Sequence, residues 1–214
     1  MGTNPYPILV DSSIQHPWLQ TSGEMLSIQI PSIESILGDK LAAFAPTTTG
    51  ILYEKLRPVE MIKQLYDIGS LFDDAKDFRV VKESYLRNVS DEIKYRNLSI
   101  SWKESLEDSF QAALTLSLRD ENNVNYTQMQ KGISNIVNFI LGKFHLEEAL
   151  VCAAKTAYLS KLLRQTEIEV RRYDGPVEIA AWTIQGKELI KLNKLKKTNP
   201  QAFFYWYQAW LYLV

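Results

Sequence analysis

Beyond residue 31 the apolar residues recur at helical spacing in one segment after another, and only the residues before it alternate at a period of two. A chain patterned this way must bury a series of amphipathic stripes against each other, so it folds as packed helices and not around a large sheet. Ile8, Leu9 and Val10 form a short strand candidate, and across residues 25–30 Leu26, Ile28 and Ile30 fall on one face. Asn4-Pro5-Tyr6-Pro7 and His16-Pro17 are loop punctuation. Pro31 ends the extended segment, and Ser32 is placed to cap a helix reaching about Ala45, with Ile33, Ile36, Leu37, Leu41 and Phe44 as its stripe. Pro58 suits the first turn of a second helix whose buried face is Met61, Ile62, Leu65, Tyr66, Ile68, Leu71 and Phe72. Phe78, Val81, Tyr85, Val89 and Ile93 mark a third. Further helices are predicted over 101–118, 127–141, 145–163 and 177–197, and after Asn199-Pro200. The expected fold is mainly α, a helical body with a short extended N-terminal segment.

Composition narrows the function classes. The 214 residues, 46% apolar and 23% charged, are enough for one large domain or a small lobe on a helical body. A net charge of -1 gives no global field toward nucleic acid or an anionic membrane. Charge is uneven along the chain, with nine Lys or Arg against five Asp or Glu from residue 161 onward. The longest apolar stretch, 202–214, contains Gln208 and is shorter than the roughly 20 residues of a spanning helix, so no membrane contact is expected. The opening residues are uncharged and proline-rich, unlike a secretory leader, and Tyr6 stands where a myristoylation signal wants Ser or Thr. A single cysteine, Cys152 in an apolar run, points to core filling in a reducing compartment, and the expected location is the cytoplasm.

Residues 32–72 carry the most specific pattern. Pro31-Ser32-Ile33-Glu34-Ser35-Ile36-Leu37-Gly38-Asp39-Lys40-Leu41-Ala42-Ala43-Phe44 is followed by Glu60-Met61-Ile62-Lys63-Gln64-Leu65-Tyr66-Asp67-Ile68. In this order the two resemble the abortive-infection nucleotidyltransferase toxins of the AbiEii/AbiGii type, which pair a Lys-Leu-x-Ala helix with a Lys-Asp-x-x-Asp-Leu helix. Here Gln64 stands where the family usually has the first Asp. The resemblance implies the nucleotidyltransferase fold, in which strand-borne carboxylates hold magnesium and a nucleotide passes from a nucleoside triphosphate to RNA. Lys40, with Lys63, would then serve the triphosphate, and Asp67 would be a catalytic carboxylate at the rim. The family's Gly-Ser turn and Asp-x-Asp pair have no counterpart; Asp11 alone ends a strand candidate. The chain therefore matches the family's later half: 1–75 a remnant of the nucleotidyltransferase core (a piece of its α/β unit), 76–214 a helical domain. No metal site and no cofactor are expected in this chain by itself. A cognate antitoxin, an RNA acceptor and self-association through the strand at 25–30 are the partners it implies. The alternative is a non-catalytic helical module that binds an antitoxin or another protein.

The same residues also have plain structural readings. Lys63 and Asp67 stand four apart and could be a surface ion pair. Lys187, Lys191 and Lys194 fall on one face of the predicted helix 177–197, either solvated or against an RNA backbone. Asp73, Asp74 and Asp77 fit helix-end caps, and the aromatics at 203–212 fit a helix wedged into a core. With two histidines and one cysteine there is no zinc constellation.

Overall fold

Pro31 closes the extended segment as expected. The computed structural model describes residues 5–14, 20, 22–140, 142–175 and 179–213; Asn4, His16 and Pro17 lie outside them. Strands β1 (Leu9–Ser13) and β2 (Ser27–Pro31) pair antiparallel, with Val10 opposite Ile30 and Ser12 opposite Ile28. The hairpin is tied to the first helix, α1 (Ile33–Ala43), through Ser35. Its hydroxyl donates to the Ile8 carbonyl at 3.1 Å and accepts from the Ile8 amide at 3.3 Å.

Most helix boundaries follow from capping chemistry. The Ser32 hydroxyl accepts from the Ser35 amide, opening α1, and proline occupies the first turn of α2 (Pro58–Asp74). Asp77 caps α3 (Phe78–Tyr95), and Ser101 with Glu104 forms a reciprocal box at α4 (Trp102–Leu118). His145 with Glu148 does the same at α6 (Leu146–Leu162), and Asn199 caps α8 (Pro200–Leu211).

Two predicted helices are corrected. The one expected over 127–141 is α5 (Val124–Asn135), because the Asn123 side chain accepts from the Asn125 and Tyr126 amides and starts it early; it ends in a 3-10 turn at Ile136–Asn138. The helix expected over 177–197 does not form over the described residues 179–197; 177 and 178 lie outside them. In its place are 3-10 turns at Ile179–Ala181 and Leu189–Lys194 and the single-turn α7 (Leu195–Thr198). Gly186 takes a left-handed φ of 106°. The Asn193 amide satisfies both the N–H and the carbonyl of Ile184, and Lys196 donates to the Ala180 and Trp182 carbonyls. Side chains thus occupy the main-chain groups a helix would have used.

The core is continuous from Leu37 to Ala209. Helix α6 lies at its centre, packed by α2, α4 and α8, while α2 also touches α1 and α5, and α1 rests on α3. Cys152 is buried there as filler, with burial pushing its thiol up to about 12. The C-terminal aromatics behave as a core wedge: Phe203, Tyr205 and Trp206 are buried, and the Trp206 indole donates to the Ser117 hydroxyl at 3.1 Å. No described helix is long and apolar enough to cross a membrane.

Two of the glycines lie where helices approach too closely for a Cβ. A Cβ on Gly69 would collide with Cys152 of α6, and one on Gly38 would lie 2.6 Å from the Tyr85 nitrogen and Val81 oxygen of α3. Main-chain atoms cannot swing aside as a side chain does. Gly38→Ala is therefore expected to destabilise by about 1–3 kcal/mol through overpacking, despite the ~1 kcal/mol alanine normally gains in a helix. Urea unfolding measures this, and an unchanged or raised midpoint would contradict the α1–α3 contact.

Candidate functional site

The resemblance-derived residues lie on α1 and α2, which pack side by side. Lys40 and Asp67, far apart in sequence, meet across this seam with Nζ to Oδ2 at 3.4 Å and side chains 27% and 34% exposed. Lys63 is not part of this pair. Its ammonium sits 5.4 Å from the centroid of the Phe139 ring, so Asp67 is matched by Lys40 across helices and not by the residue one turn before it. At a third exposed, the Lys40–Asp67 pair contributes at most about 1 kcal/mol to stability.

A cavity of about 570 Å³, lined by neither Lys40 nor Asp67, opens between the end of α1, α3, the loop 45–57 and the first turn of α2. Asp39, one residue before Lys40, lines it, as do Glu60, Glu92, Lys55, Arg57 and Arg96. Glu60 stands seven residues before Asp67, on the same face of α2. Burial raises the Asp39 carboxyl and the Glu92 charge adds to this, with Lys40 opposing. The cavity's charged lining is mixed in sign: Arg57 pairs with Glu60 at 3.4 Å and Arg96 with Glu92 at 2.8 Å.

The loop forming one wall is held from beneath by a carboxylate. Asp108 on α4, 8% exposed, accepts from the Thr47 amide and the Thr48 hydroxyl, both at 2.8 Å. The Thr49 and Ser105 hydroxyls share a hydrogen bond of 2.7 Å, and the Arg96 guanidinium donates to the Thr48 carbonyl at 3.2 Å. The loop Pro46-Thr47-Thr48-Thr49-Gly50 is therefore a fixed wall in which the Thr47 amide and the Thr48 and Thr49 hydroxyls are already satisfied.

Lys187 lies in a turn, and Lys191 and Lys194 in the 3-10 stretch that follows, where a spacing of three keeps the latter two on one side. All three are exposed, and none pairs with a described carboxylate within 4.0 Å.

The sequence reading passed over two lysines of α6. Lys155 is 3% exposed and donates to Asp73 at 2.6 Å and the Gly69 carbonyl at 3.0 Å. Lys161, equally buried, donates to Glu107 at 2.6 Å with its ammonium 3.8 Å from the Phe110 ring centroid. Both staple the central helix to its neighbours. From Ala149 to Leu162 almost every side of α6 is buried, so a lysine there has to be paired; the apolar run Ala149–Ala154 just before Lys155 is the trace of this in the sequence. Asp73 is thus a partner for Lys155, whereas Asp77 is the helix cap it was expected to be.

Among the described residues no group of three or more His, Cys, Asp or Glu side chains is gathered to hold a metal ion. Comparison with protein-family models, with curated proteins and with solved structures gives no match.

Proposed function

We propose that the chain is the nucleotide-facing helical part of an AbiEii/AbiGii-type nucleotidyltransferase toxin, with α1 and α2 forming one wall of the cleft. The observation that carries this reading is the meeting of Lys40 and Asp67 on adjacent helices. The cavity lined by Asp39 and Glu60 of the same two helices lies within the range of small-molecule sites, and Lys55, Arg57 and Arg96 supply cations for phosphate oxygens. Lys40 acts as a point charge toward the triphosphate. Asp67 holds that ammonium in place until the phosphates replace it. Lys191 and Lys194 are a solvated basic side available to an RNA backbone, and the chemistry is cytoplasmic.

Magnesium is the family's cofactor, but the described residues do not fit it. Asp67 is matched by a cation, and no carboxylate cluster lies beside it. The chain by itself is expected to transfer no labelled nucleotide onto total RNA.

The test is calorimetric titration of the chain with ATP, GTP, CTP and UTP. At least one should bind, and Lys40→Ala should weaken it about tenfold or more, roughly 1.4 kcal/mol. Asp67→Asn, which frees Lys40, should leave affinity equal or higher. Absence of binding by all four, or an indifferent Lys40→Ala, would remove this reading. What remained would be a non-catalytic module binding an antitoxin or another protein, a reading favoured by the uncovered apolar face of the hairpin.

A further inference from the structure

Gln208 alone interrupts the apolar stretch 202–214, and α8 carries it inward, where it is 3% exposed. Its Nε2 is buried without a hydrogen-bond partner among the described residues. An amide buried in this way costs stability, and native cores keep few of them. Gln208 also lines a cavity of about 280 Å³ toward the C-terminal ends of α6 and α8, with Tyr158, Leu211 and Tyr212 and, from the segment after α6, Glu169 and Arg171. Its Oε1 accepts no hydrogen bond either, yet only Nε2 is sealed, so the amide meets the cavity through its oxygen. A half-turn about the last side-chain torsion presents the nitrogen instead.

The rest of the lining suits a flat ring with a charged tail. The Tyr158 and Tyr212 rings lie 22° from parallel with centroids 6.3 Å apart, and Tyr212 keeps 37% of its surface open. The Tyr158 hydroxyl holds the wall in place, donating to the Glu169 carbonyl at 3.3 Å and accepting from the Arg171 amide at 2.9 Å. The Glu169 and Arg171 side chains stay exposed, and neither pairs with a described opposite charge within 4.0 Å.

We propose that this cavity binds an adenine nucleotide, its base against Tyr212 and its edge hydrogen-bonded to Gln208. A primary amide sets a donor beside an acceptor, which matches the N7 acceptor and N6 donor of adenine; guanine's paired acceptors call for arginine or lysine. Stacking on a tyrosine face is a common way to hold a base. The Arg171 guanidinium takes the phosphate oxygens, and the Glu169 carboxylate accepts from the ribose hydroxyls. The cavity is several times the ~30 Å³ share of one water, so it exceeds what a single bridging water needs. It shares no residue with the cavity at the end of α1 and does not depend on the role of Lys40.

Calorimetric titration of the full chain with AMP, GMP, CMP and UMP should find AMP the tightest by about tenfold or more. Gln208→Leu should weaken AMP about tenfold or more while leaving the urea midpoint equal or higher, because it removes the orphaned amide. Arg171→Ala should weaken AMP by a similar factor and leave adenosine unchanged, and Lys40→Ala should leave AMP unchanged. A short oligoadenylate identifies the source: tighter binding than AMP names a strand of RNA, equal or weaker binding the free nucleotide, and either supports the site. Should Gln208→Leu fail to fold, Arg171→Ala and Tyr212→Ala decide, and AMP affinity indifferent to both overturns the proposal. So would no binding of AMP or oligoadenylate at millimolar concentration, equal affinity for the four bases, or AMP affinity lost in Lys40→Ala and kept in Gln208→Leu.

Discussion

Phe72→Ala is expected to lower stability by about 3–5 kcal/mol, the range for emptying a buried aromatic site. Phe72 is fully buried, and its ring lies against Phe78, Tyr205 and Tyr158 at centroid distances of 5.5, 5.3 and 6.3 Å. The Arg172 guanidinium is 5.2 Å from the same ring while donating to the Phe72, Asp73 and Ala75 carbonyls at the C-terminus of α2. Deleting the ring leaves a void and loosens a cation held where the helix dipole favours it. Since domains of this size are stable by only about 5–15 kcal/mol, the variant should sit near its unfolding midpoint in mild denaturant. Leu71→Ala, next to it but half-buried, should cost less than half as much in guanidinium titrations. Equal losses would mean that the aromatic cluster is not the organising contact.

Glu107→Gln is expected to destabilise by about 2–3 kcal/mol, because it strips the counter-charge from buried Lys161 while leaving the ammonium inside. The figure sits below that for a fully buried pair because Glu107 is itself 40% exposed and partly screened. Lys161→Met, which removes the charge but keeps the shape, should cost less than Glu107→Gln. Burial alone would raise the Glu107 carboxyl. The hydrogen bonds from Lys161 and Gln111, with the charges of Lys161 and Arg164, outweigh it and bring the carboxyl below its usual range. A carboxyl lowered in the folded state contributes stability that is complete above its unfolded value, about 4.3. That contribution fades as pH falls through the lower folded value. Thermal unfolding between pH 7 and acid should therefore fall less steeply in Glu107→Gln than in the wild type. Parallel profiles would assign the acid sensitivity to other carboxylates.

Much of this architecture is written locally. Ser32, Pro58, Asp77, Ser101, His145 and Asn199-Pro200 start helices within a residue or two of where spacing and caps put them, because a cap bonds its own next turn. The segment 177–197 defeats the same logic. Its apolar spacing is compatible with a helix, but Gly186 and the Asn193 bonds to Ile184 divert the backbone, and spacing does not register such bonds. In the candidate site, Lys40 and Asp67 could be named from their helices. That Asp67 would face Lys40 and not Lys63 depends on how α1 and α2 are rotated against each other.

By itself the sequence determined that the chain is mainly α, that the extended segment comes first, and that Cys152 sits in an apolar run. Each is set by periodicity, by local composition or by bonds spanning a few residues. Only the tertiary structure decided that Asp108 would reach the loop some sixty residues earlier, that Asp73 would hold Lys155, and that the alternating hairpin would keep its apolar face in solvent. A side chain's partner across the fold is fixed by how whole helices pack, and a lysine reads alike in sequence whether water or a carboxylate receives its charge.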